Sequence, residues 1–419
     1  MKIKLISQSD ISGGAARATY RLHKALLANN IESEMVVRKS DEDTFSNQGN
    51  NKFIHKTLTQ LREKLGAATF LLQKSSNTNL RTGNWLPSNW SKKINASNAD
   101  VINLHWVGGE TLSIEDIGRI SKPLIWTLHD MWPFCGAEHY TSDDANSRWR
   151  HGYNRTNRSP TDKGLDLDRL VWARKCNAWK IKMHIIAPSN WLADCARNSA
   201  LFRNCNISTI PNVLDTNTFQ PLPRETCRKI LGLPQDRKII LFGAMNGGKD
   251  SRKGFDLLIE ALQLAGPHLS APPLCVVFGQ RTPLDSPNIP FETRWMGHIH
   301  DDYTLALLYN SATIMIVPSR QENLPQTATE AQSCGCPVVA FNCTGLPDAV
   351  QHKSTGYLAK AFDTADMAAG ITWLLENEVQ RVSLSQAARE RAVNSWSPSI
   401  VTPQYLKVFQ QAIDSNKVS

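Results

Sequence analysis

The segment 313–340 most constrains the fold, because it reads as a strand, a loop, a helix and a second strand. Residues 313–317 form a continuous apolar run rich in β-branched side chains, which is typical of a strand buried on both faces of a parallel sheet. Pro325 fits the first position of a helix that Gly335 and Pro337 then end. Since parallel strands need crossover connections that are usually helical, this segment predicts an α/β fold.

Two carboxylates flank the turn between that strand and that helix. Glu322 lies in the loop, and Glu330 lies eight residues further on, inside the helix. The loop leaves the carboxyl end of the strand, where open α/β sheets bind ligands, and the free N–H groups of a helix start attract anions. A phosphorylated polyol fits such a site. From spacing alone, a surface loop followed by a capped helix with solvated glutamates is an equally good interpretation.

Two other strand-to-helix turns contain residues suited to ligand binding. Residues 238–243 read as a buried strand, and Arg252 and Lys253 stand at the predicted start of the following helix. Two cations there suit a pyrophosphate, because cations at a helix N-terminus oppose the dipole unless an anion is bound. Near the N-terminus, Gly13 and Gly14 separate a strand from a helix and allow a ligand or another backbone to approach closely.

Histidines follow two short apolar runs in the first half of the chain. Residues 101–106 and 123–132 read as buried strands, and they carry His105 and His129 near their ends. Equivalent positions place both imidazoles at the carboxyl edge of a parallel sheet. Because Asp130 and Trp132 follow the second histidine, we predict a role in a functional site rather than in the core alone.

The spacing from Glu322 to Glu330, written E-x7-E, resembles the donor-sugar motif of the retaining family-4 glycosyltransferases. The run 127–134 resembles a segment of bacterial exopolysaccharide, O-antigen and capsule glycosyltransferases. The resemblance implies the GT-B fold, in which two Rossmann-like, doubly wound domains face a cleft. It implies an acceptor-binding domain over residues 1–215, a nucleotide-sugar-binding domain over 216–395, and a C-terminal helix over 396–419 that crosses back to the first domain.

The resemblance also implies roles for residues of the second domain. In the family, the first Glu contacts the hexose and the second holds the ribose, which assigns these roles to Glu322 and Glu330. The positions that match the other donor-binding residues are Asn323 and Leu324 beside the sugar and pyrophosphate, Lys253 and Arg252 at the diphosphate, and Gly297 near the nucleobase. An arginine usually follows the first strand of this domain, and here Ala244 takes its place, so Arg252 or Lys249 is expected to compensate.

In the first domain, the resemblance implies that Gly13 and Gly14 face the donor phosphate and the acceptor, and that His129 approaches the donor sugar. His129, Glu322 and Lys253 are therefore the predicted catalytic residues. The predicted acceptor side consists of His105, Asp130 and Trp132.

The two halves of the chain differ in net charge. Residues 1–215 carry 29 Lys and Arg against 20 Asp and Glu, whereas residues 216–419 carry 18 of each. Residues 52–93 hold eight basic side chains and one acid, together with an apolar stripe at helical spacing, Ile54, Leu58, Leu61 and Leu65. Such a basic amphipathic insertion suits an anionic membrane surface, or it packs on its own domain. Nucleic acid is a weaker interpretation, because the second half has no excess charge and no binding-fold signature.

Apolar stretches and cysteine spacing indicate the compartment of the protein and whether it binds a metal. No stretch approaches eighteen apolar residues and the start lacks a signal-peptide pattern, so we predict a cytoplasmic protein with peripheral contact at the inner face of the cell membrane. Nine scattered cysteines argue against a disulfide framework, and the pair Cys334 and Cys336 has no partners for a metal site. We therefore expect neither a metal nor a cofactor.

Together these observations predict a retaining, metal-independent hexosyltransferase. It would move a sugar from a UDP- or GDP-linked donor to a hydroxyl of a lipid-linked saccharide in bacterial surface polysaccharide assembly, without binding nucleic acid. Two alternatives stay open. One is a nucleotide-sugar epimerase of the same fold, which needs no acceptor. The other is a non-catalytic, membrane-binding subunit that keeps the fold.

Overall fold

The computed structural model describes residues 1–40, 52–243, 250–283 and 287–417, with the backbone alone for residues 52–56. The chain divides into two compact units. The first combines Met1–Val213 with Val401–Ser419, and the second is Leu214–Ile400. For comparison, the sequence predicts boundaries at 215/216 and 395/396.

The first unit is built on a six-stranded parallel sheet of order β2-β1-β4-β5-β7-β8. Two further strands form a short antiparallel ribbon, β3 with β6. The strands are β1 (Lys2–Ser9), β2 (Glu32–Lys39), β3 (Gln73–Lys74), β4 (Val101–Leu104), β5 (Leu124–Thr127), β6 (Lys163–Gly164), β7 (Met183–Ala187) and β8 (Asn206–Thr209).

Helices cover both faces of this sheet. They are α1 (Gly14–Ala28), α2 (Lys52–Ala68), α3 (Trp90–Ala96), α4 (Ile114–Gly118), α5 (Arg148–His151), α6 (Leu167–Ala178) and α7 (Asn190–Asn198). Successive side chains of a strand point to opposite faces. Accordingly, Leu5 belongs to one apolar cluster and Ile6 to the other. All four residues of β4 and of β5 are buried, as expected for central parallel strands.

The second unit has its own six-stranded parallel sheet, of order β11-β10-β9-β12-β13-β14. Its strands are β9 (Ile239–Gly243), β10 (Leu274–Phe278), β11 (Thr293–Trp295), β12 (Ile314–Val317), β13 (Val338–Phe341) and β14 (Gly356–Ala359). Its helices are α8 (Arg224–Ile230), α9 (Phe255–Ala265), α10 (Asp302–Ser311), α11 (Gln326–Ser333), α12 (Leu346–Ala349), α13 (Thr364–Glu376) and α14 (Glu378–Trp396).

The last helix, α15 (Pro398–Lys417), completes the core of the first unit. Its residues Val401, Tyr405 and Phe409 pack in one apolar cluster with Ile3 and Leu5 of β1. The predicted α/β architecture of two doubly wound parallel sheets is confirmed. One detail differs, because Pro325 is the N-cap of α11 rather than its first helical residue.

Helix α2 lies on the first unit with its polar side inward. Thr59 is 2% exposed, and Glu63 accepts a hydrogen bond from Gln8 Nε2 (2.7 Å) and pairs with Lys39 Nζ (2.6 Å). The three leucines of the predicted stripe, which we call the leucine stripe, face outward instead: Leu58, Leu61 and Leu65 are 54%, 52% and 53% exposed. The side chain of Ile54 lies outside the described residues. The interpretation in which this stripe packs on its own domain is therefore wrong.

Candidate functional site

The candidate donor site lies at a topological switch point of the second sheet. From β9 the chain runs to β10 and β11 on one side, and then crosses to β12, which pairs with β9 on the other side. Ligands of open α/β sheets bind outside the carboxyl ends of the strands at such a point, because the loops there diverge. The loops that follow β9 and β12 carry Lys253 and Glu322.

The structure brings these two predicted residues together. Lys253 Nζ lies 2.5 Å from Glu322 Oε1, and Ser319 Oγ donates a hydrogen bond to the same oxygen at 3.0 Å. The side chain of Lys253 is 28% exposed and that of Glu322 is 13% exposed. A charge pair with this much contact to solvent can exchange partners when an anionic or hydroxylated ligand arrives.

The cationic turn differs from the prediction in its local structure. Arg252 and Lys253 belong to a short 3-10 turn, Ser251–Lys253, and α9 begins only at Phe255. Gly254 separates the two with φ of 63°, and a Cβ there would lie 2.0 Å from the carbonyl oxygen of Pro318. Only glycine fits, so this residue lets the β9 and β12 loops touch.

Arg320 ties the same two loops together, and sequence reasoning missed it. Its N–H donates to the carbonyl of Arg252 at 2.7 Å, and its guanidinium forms two bonds to Asp256, at 2.6 and 2.7 Å. Hydrogen bonding to Arg320 lowers the pKa of Asp256. Arg252 itself bonds to Asp250 at 2.6 and 3.1 Å. Ala244 and Lys249, which bear on the predicted diphosphate contact, lie outside the described residues.

Glu330, the predicted ribose ligand, lies deeper than Glu322. It is 3% exposed and accepts a hydrogen bond from the hydroxyl of Tyr309 at 2.8 Å. Asn323 and Leu324 are also buried. Gly297, in the loop after β11, has φ of 70° and open space where a Cβ would stand. These residues all follow or flank the carboxyl ends of strands in the second sheet.

The first unit repeats this arrangement at its own switch point. Strand β1 lies between β2 and β4: the chain runs from β1 to β2 on one side and later crosses to β4 on the other side. Gly13, with φ of 93°, is the N-cap of α1, and Gly14 is the first residue of that helix. His105 follows β4 and His129 follows β5, as the sequence predicts. Their rings meet, with His105 Nδ1 3.0 Å from His129 Nε2.

Both histidines are neutral at physiological pH. Burial lowers the pKa of His129 to about 4, against the smaller opposing effect of Asp130. Burial, reinforced by the neighbouring His129, lowers the pKa of His105 well below its usual value. A neutral pair shares one ring proton along the Nδ1–Nε2 contact. These imidazoles therefore offer hydrogen bonds rather than positive charge.

Asp130 and Trp132 are held inside the first unit. Asp130 Oδ2 accepts from Trp106 Nε1 (2.8 Å) and lies 2.6 Å from His139 Nδ1, while Oδ1 accepts from the N–H of Trp132 (3.0 Å). Burial alone would raise the pKa of Asp130, but His139 and these donors bring it below its ordinary value. Trp132 is 2% exposed and donates to the carbonyl of Thr82. The indole thus offers almost no surface to an acceptor in this structure.

Lys175 supports this network from α6, and nothing in the sequence pattern points to it. The side chain is fully buried, and its Nζ donates to the carbonyls of Trp132, Cys135 and Gly136. The ammonium also lies 3.8 Å from the ring centre of Trp132. Burial lowers the pKa of Lys175 to about 7. It fixes the turn that follows Asp130, which makes it a structural support of the histidine site.

The arginines of the loop after this turn are used internally. Arg148 pairs with Asp166 (2.7 Å) and Arg150 with Asp143 (2.5 Å). A depression of about 550 Å³ nearby is lined by Arg150, His151, Arg197, Asn198 and Arg203. Within the described part of the chain, no three His, Cys, Asp or Glu side chains come together in a way that could hold a metal ion. The nine cysteines are free.

Comparison with known proteins adds two family matches. Residues 12–218 match a model described as Glycosyltransferase Family 4, and residues 223–391 match one described as Glycosyl transferases group 1. The two matches cover most of each unit, and α15 lies outside both. A curated relative, the D-inositol 3-phosphate glycosyltransferase 1 of Catenulispora acidiphila, is 29% identical over 228 residues, which are 50% of this chain and 53% of the relative. The chain spans about half the length of the curated relatives it matches.

Solved structures share the fold over nearly the whole chain. A sucrose-phosphate synthase from Thermosynechococcus elongatus is 19% identical with a TM-score of 0.67, covering 99% of this chain and 100% of that one. The Anabaena protein HepE, solved in complex with UDP and glucose, is 16% identical with a TM-score of 0.64, covering 98% and 100%. At this level of identity, the likeness shows the fold.

Proposed function

The chain belongs to the glycosyltransferases with the GT-B fold, its halves matching family 4 and group 1, and from this premise we propose the reaction that it catalyses. It moves a hexose, with retention of configuration, from a UDP- or GDP-linked donor to a hydroxyl of a lipid-linked saccharide in bacterial surface polysaccharide assembly. The observation that carries the transfer is the Lys253–Glu322 pair at the switch point of the second sheet.

The pair fits the two ends of a sugar diphosphate. Lys253 carries three N–H donors, so it can keep one bond to Glu322 while it donates the others to phosphate oxygens. Glu322 Oε1 accepts from Lys253 and Ser319, and the lone pairs of Oε2 suit hexose hydroxyls. As the bond to the sugar breaks, charge grows on the diphosphate, and a fixed cation stabilises that charge. Glu330 would hold the ribose beneath them.

The neutral histidines suit the sugar rather than the phosphate. His129 follows β5 beside His105, and burial holds both rings uncharged. A neutral imidazole can donate or accept a hydrogen bond with a sugar hydroxyl, and it carries no positive charge that would attract the phosphates of the donor. We therefore assign His129 to the reacting face of the donor sugar, as the family resemblance implies, with His105 orienting it.

The outward leucine stripe supports a lipid-linked acceptor. Leu58, Leu61 and Leu65 on α2, followed by Leu71 and Leu72, are each more than half exposed. Soluble proteins seldom leave so many neighbouring leucines in water without a partner for them. Basic side chains in the same segment, including the exposed Lys64 and Lys74, match an anionic bilayer surface. None of the described helices is long and apolar enough to cross a bilayer.

A second acceptor class has its own support. The curated relatives are named for D-inositol 3-phosphate, a small phosphorylated polyol, although they match about half of this chain. Such an acceptor needs no membrane contact. Because a small soluble acceptor would leave the exposed leucines without a partner, we rank the lipid-linked acceptor first.

A two-stage assay tests the reaction. A panel of nucleotide sugars is first screened by thermal shift, since a bound ligand raises the unfolding temperature according to its affinity. Nucleotide release from the best donor is then measured with no acceptor, with a lipid-linked saccharide and with D-inositol 3-phosphate. We expect release to depend on the lipid-linked acceptor. Conversion of the donor without any acceptor would instead indicate an epimerase.

Vesicle sedimentation tests the membrane contact. Vesicles with anionic lipid should retain the wild-type protein, and the double variant Leu61→Gln, Leu65→Gln should lose most of this binding. Leu264→Gln, at a leucine of the second unit that is 43% exposed, is the matched control and should sediment like wild type. Equal sedimentation of all three proteins would refute the assigned surface. Binding to vesicles with no binding of any nucleotide sugar would favour the non-catalytic subunit.

A further inference from the structure

One turn of the second unit holds the backbone of Glu322 on both sides. The N–H of Glu322 donates to Thr344 Oγ1 at 3.1 Å, and the carbonyl of Glu322 accepts from the N–H of Gly345 at 3.0 Å. Gly345 lies so close that a Cβ there would stand 1.5 Å from the carbonyl oxygen of Asn323. The turn after β13 therefore fixes the peptide that carries the candidate hexose ligand.

Thr344 adopts a conformation that its side chain disfavours. Its φ is 48°, in the left-handed region that β-branched residues seldom enter. Strained residues of this kind persist only where the surrounding structure dictates them, and they concentrate at functional sites. Glycine would take this conformation at lower cost, but it has no hydroxyl to offer to Glu322. The strain and the hydrogen bond therefore occur in the same residue.

We propose that Thr344 is a positioning residue for the donor sugar. Its hydroxyl holds the backbone of Glu322, the residue assigned to the hexose, in place. The inference rests on the proposed function, because it gives Glu322 the hexose. Thr344 is assigned no contact with the substrate. Its hydroxyl fixes the backbone of Glu322 in the β12 loop, and thereby the position of the Glu322 carboxylate. The interaction of that carboxylate with Lys253 then depends on a turn from a different strand.

Two substitutions separate the hydroxyl from the shape of the side chain. Thr344→Val keeps the β-branched shape, and with it the disfavoured φ, but removes the acceptor of the Glu322 N–H. Thr344→Ser keeps the hydroxyl and reduces the steric conflict. We expect the valine variant to raise the donor KM about five-fold, which is the scale of one neutral hydrogen bond. The serine variant should stay within about two-fold of wild type.

Thr355 provides a matched control in the same unit. It is 1% exposed, and its Oγ1 accepts a hydrogen bond from the N–H of Gln351 at 3.0 Å, in the connection before β14. Thr355→Val should lower the unfolding temperature and leave the donor KM unchanged. Hydrogen exchange mass spectrometry adds a readout of the backbone, in which the peptide containing Glu322 should exchange faster in Thr344→Val than in wild type or Thr344→Ser.

The outcomes separate the inference from its premise. If wild type binds donor but Thr344→Val leaves the KM and the exchange of Glu322 unchanged, the positioning role is wrong while the proposed function stands. An equal rise of KM in Thr355→Val also overturns it, since the effect would then reflect general destabilisation. If wild type binds no nucleotide sugar, the proposed function falls and takes this role with it.

Discussion

The two sheets present different chemistry at their carboxyl edges. In the first unit, His105 and His129 contact each other, and the buried Asp130 bonds to Trp106 and His139. In the second unit, Lys253 and Glu322 form a pair with partial contact to solvent. The histidines of the first edge are uncharged, whereas the second edge carries a charge pair that can change partners. We therefore expect the first edge to shape the site and the second edge to bind the anion.

This contrast predicts where a single substitution acts. A change in the buried network should lower the free energy of unfolding, because it leaves polar groups unsatisfied. A change in the exposed pair should alter ligand binding or turnover and leave stability nearly unchanged. Four measurements test the distinction.

The largest effect is expected for Asp130→Asn. The amide keeps the size of the carboxylate but faces Trp106 Nε1 and His139 Nδ1 with the wrong charge and hydrogen-bonding pattern. We expect the free energy of unfolding of the first unit to fall by about 3 kcal/mol in urea titrations. Asp194→Asn, at an exposed ion pair with Arg197, is the control and should change it by less than about 0.5 kcal/mol. Equal effects of the two variants would contradict the comparison.

Lys253→Gln should act on turnover instead. It removes the cation assigned to the leaving diphosphate, so we expect kcat/KM for the donor to fall about 100-fold, with the unfolding temperature nearly unchanged. Lys238→Gln is a matched control, since Lys238 also forms an ion pair in this unit, with Glu376 at 3.0 Å. A kcat/KM like that of wild type in Lys253→Gln would remove Lys253 from the site.

Acid should weaken the first unit through His129. The pKa of the folded state, about 4, lies below the ordinary value of 6.5, so the unfolded chain takes up the proton first as pH falls. The contribution of neutral His129 to the free energy of unfolding is fully present above pH 6.5 and is lost as the pH falls from 6.5 to about 4. By pH 5 the loss reaches about 2 kcal/mol. His129→Asn should show a smaller difference in unfolding free energy between pH 7 and pH 5, and an identical difference would refute the assignment.

Glu330→Gln should have the smallest effect of the four. Glu330 is buried and bonded to Tyr309, as the polar groups of the first edge are bonded to protein, but it is also assigned to the donor, like the pair of the second edge. Losing one charge-assisted hydrogen bond to the ribose should weaken donor binding by about 1.5 kcal/mol in calorimetry. Glu376→Gln, at the partly exposed partner of Lys238, should bind donor like wild type. Unchanged affinity in Glu330→Gln would exclude Glu330 from the site.

The sequence predicted the strands well because buried parallel strands are short, apolar and punctuated by glycine and proline. The start of α9 was misplaced, since Arg252 and Lys253 continue the helical pattern and only the backbone reveals the left-handed Gly254. The orientation of α2 was beyond sequence reasoning for a related reason. Periodicity identifies an apolar stripe, but it does not tell which side of the helix packs on the domain.

The residues that spacing and the family resemblance assigned to the site lie near the carboxyl edges of the two sheets, but the sequence did not predict their partners. Arg320, Thr344 and Tyr309 bond to site residues, and Lys175 of α6 bonds to the carbonyl of Trp132 in the turn after Asp130. Such contacts depend on strand order and on loop paths, which local sequence does not encode. The sequence thus predicted candidate site residues, and the structure shows which groups hold them in place.

The place of α15 in the first unit has a consequence for synthesis. Val401, Tyr405 and Phe409 fill the same apolar cluster as Ile3 and Leu5, although the whole second unit is made between them. On the ribosome, the core around β1 cannot close until α15 has been synthesised. During that interval the second unit can fold by itself, while the first keeps an apolar face open to chaperones.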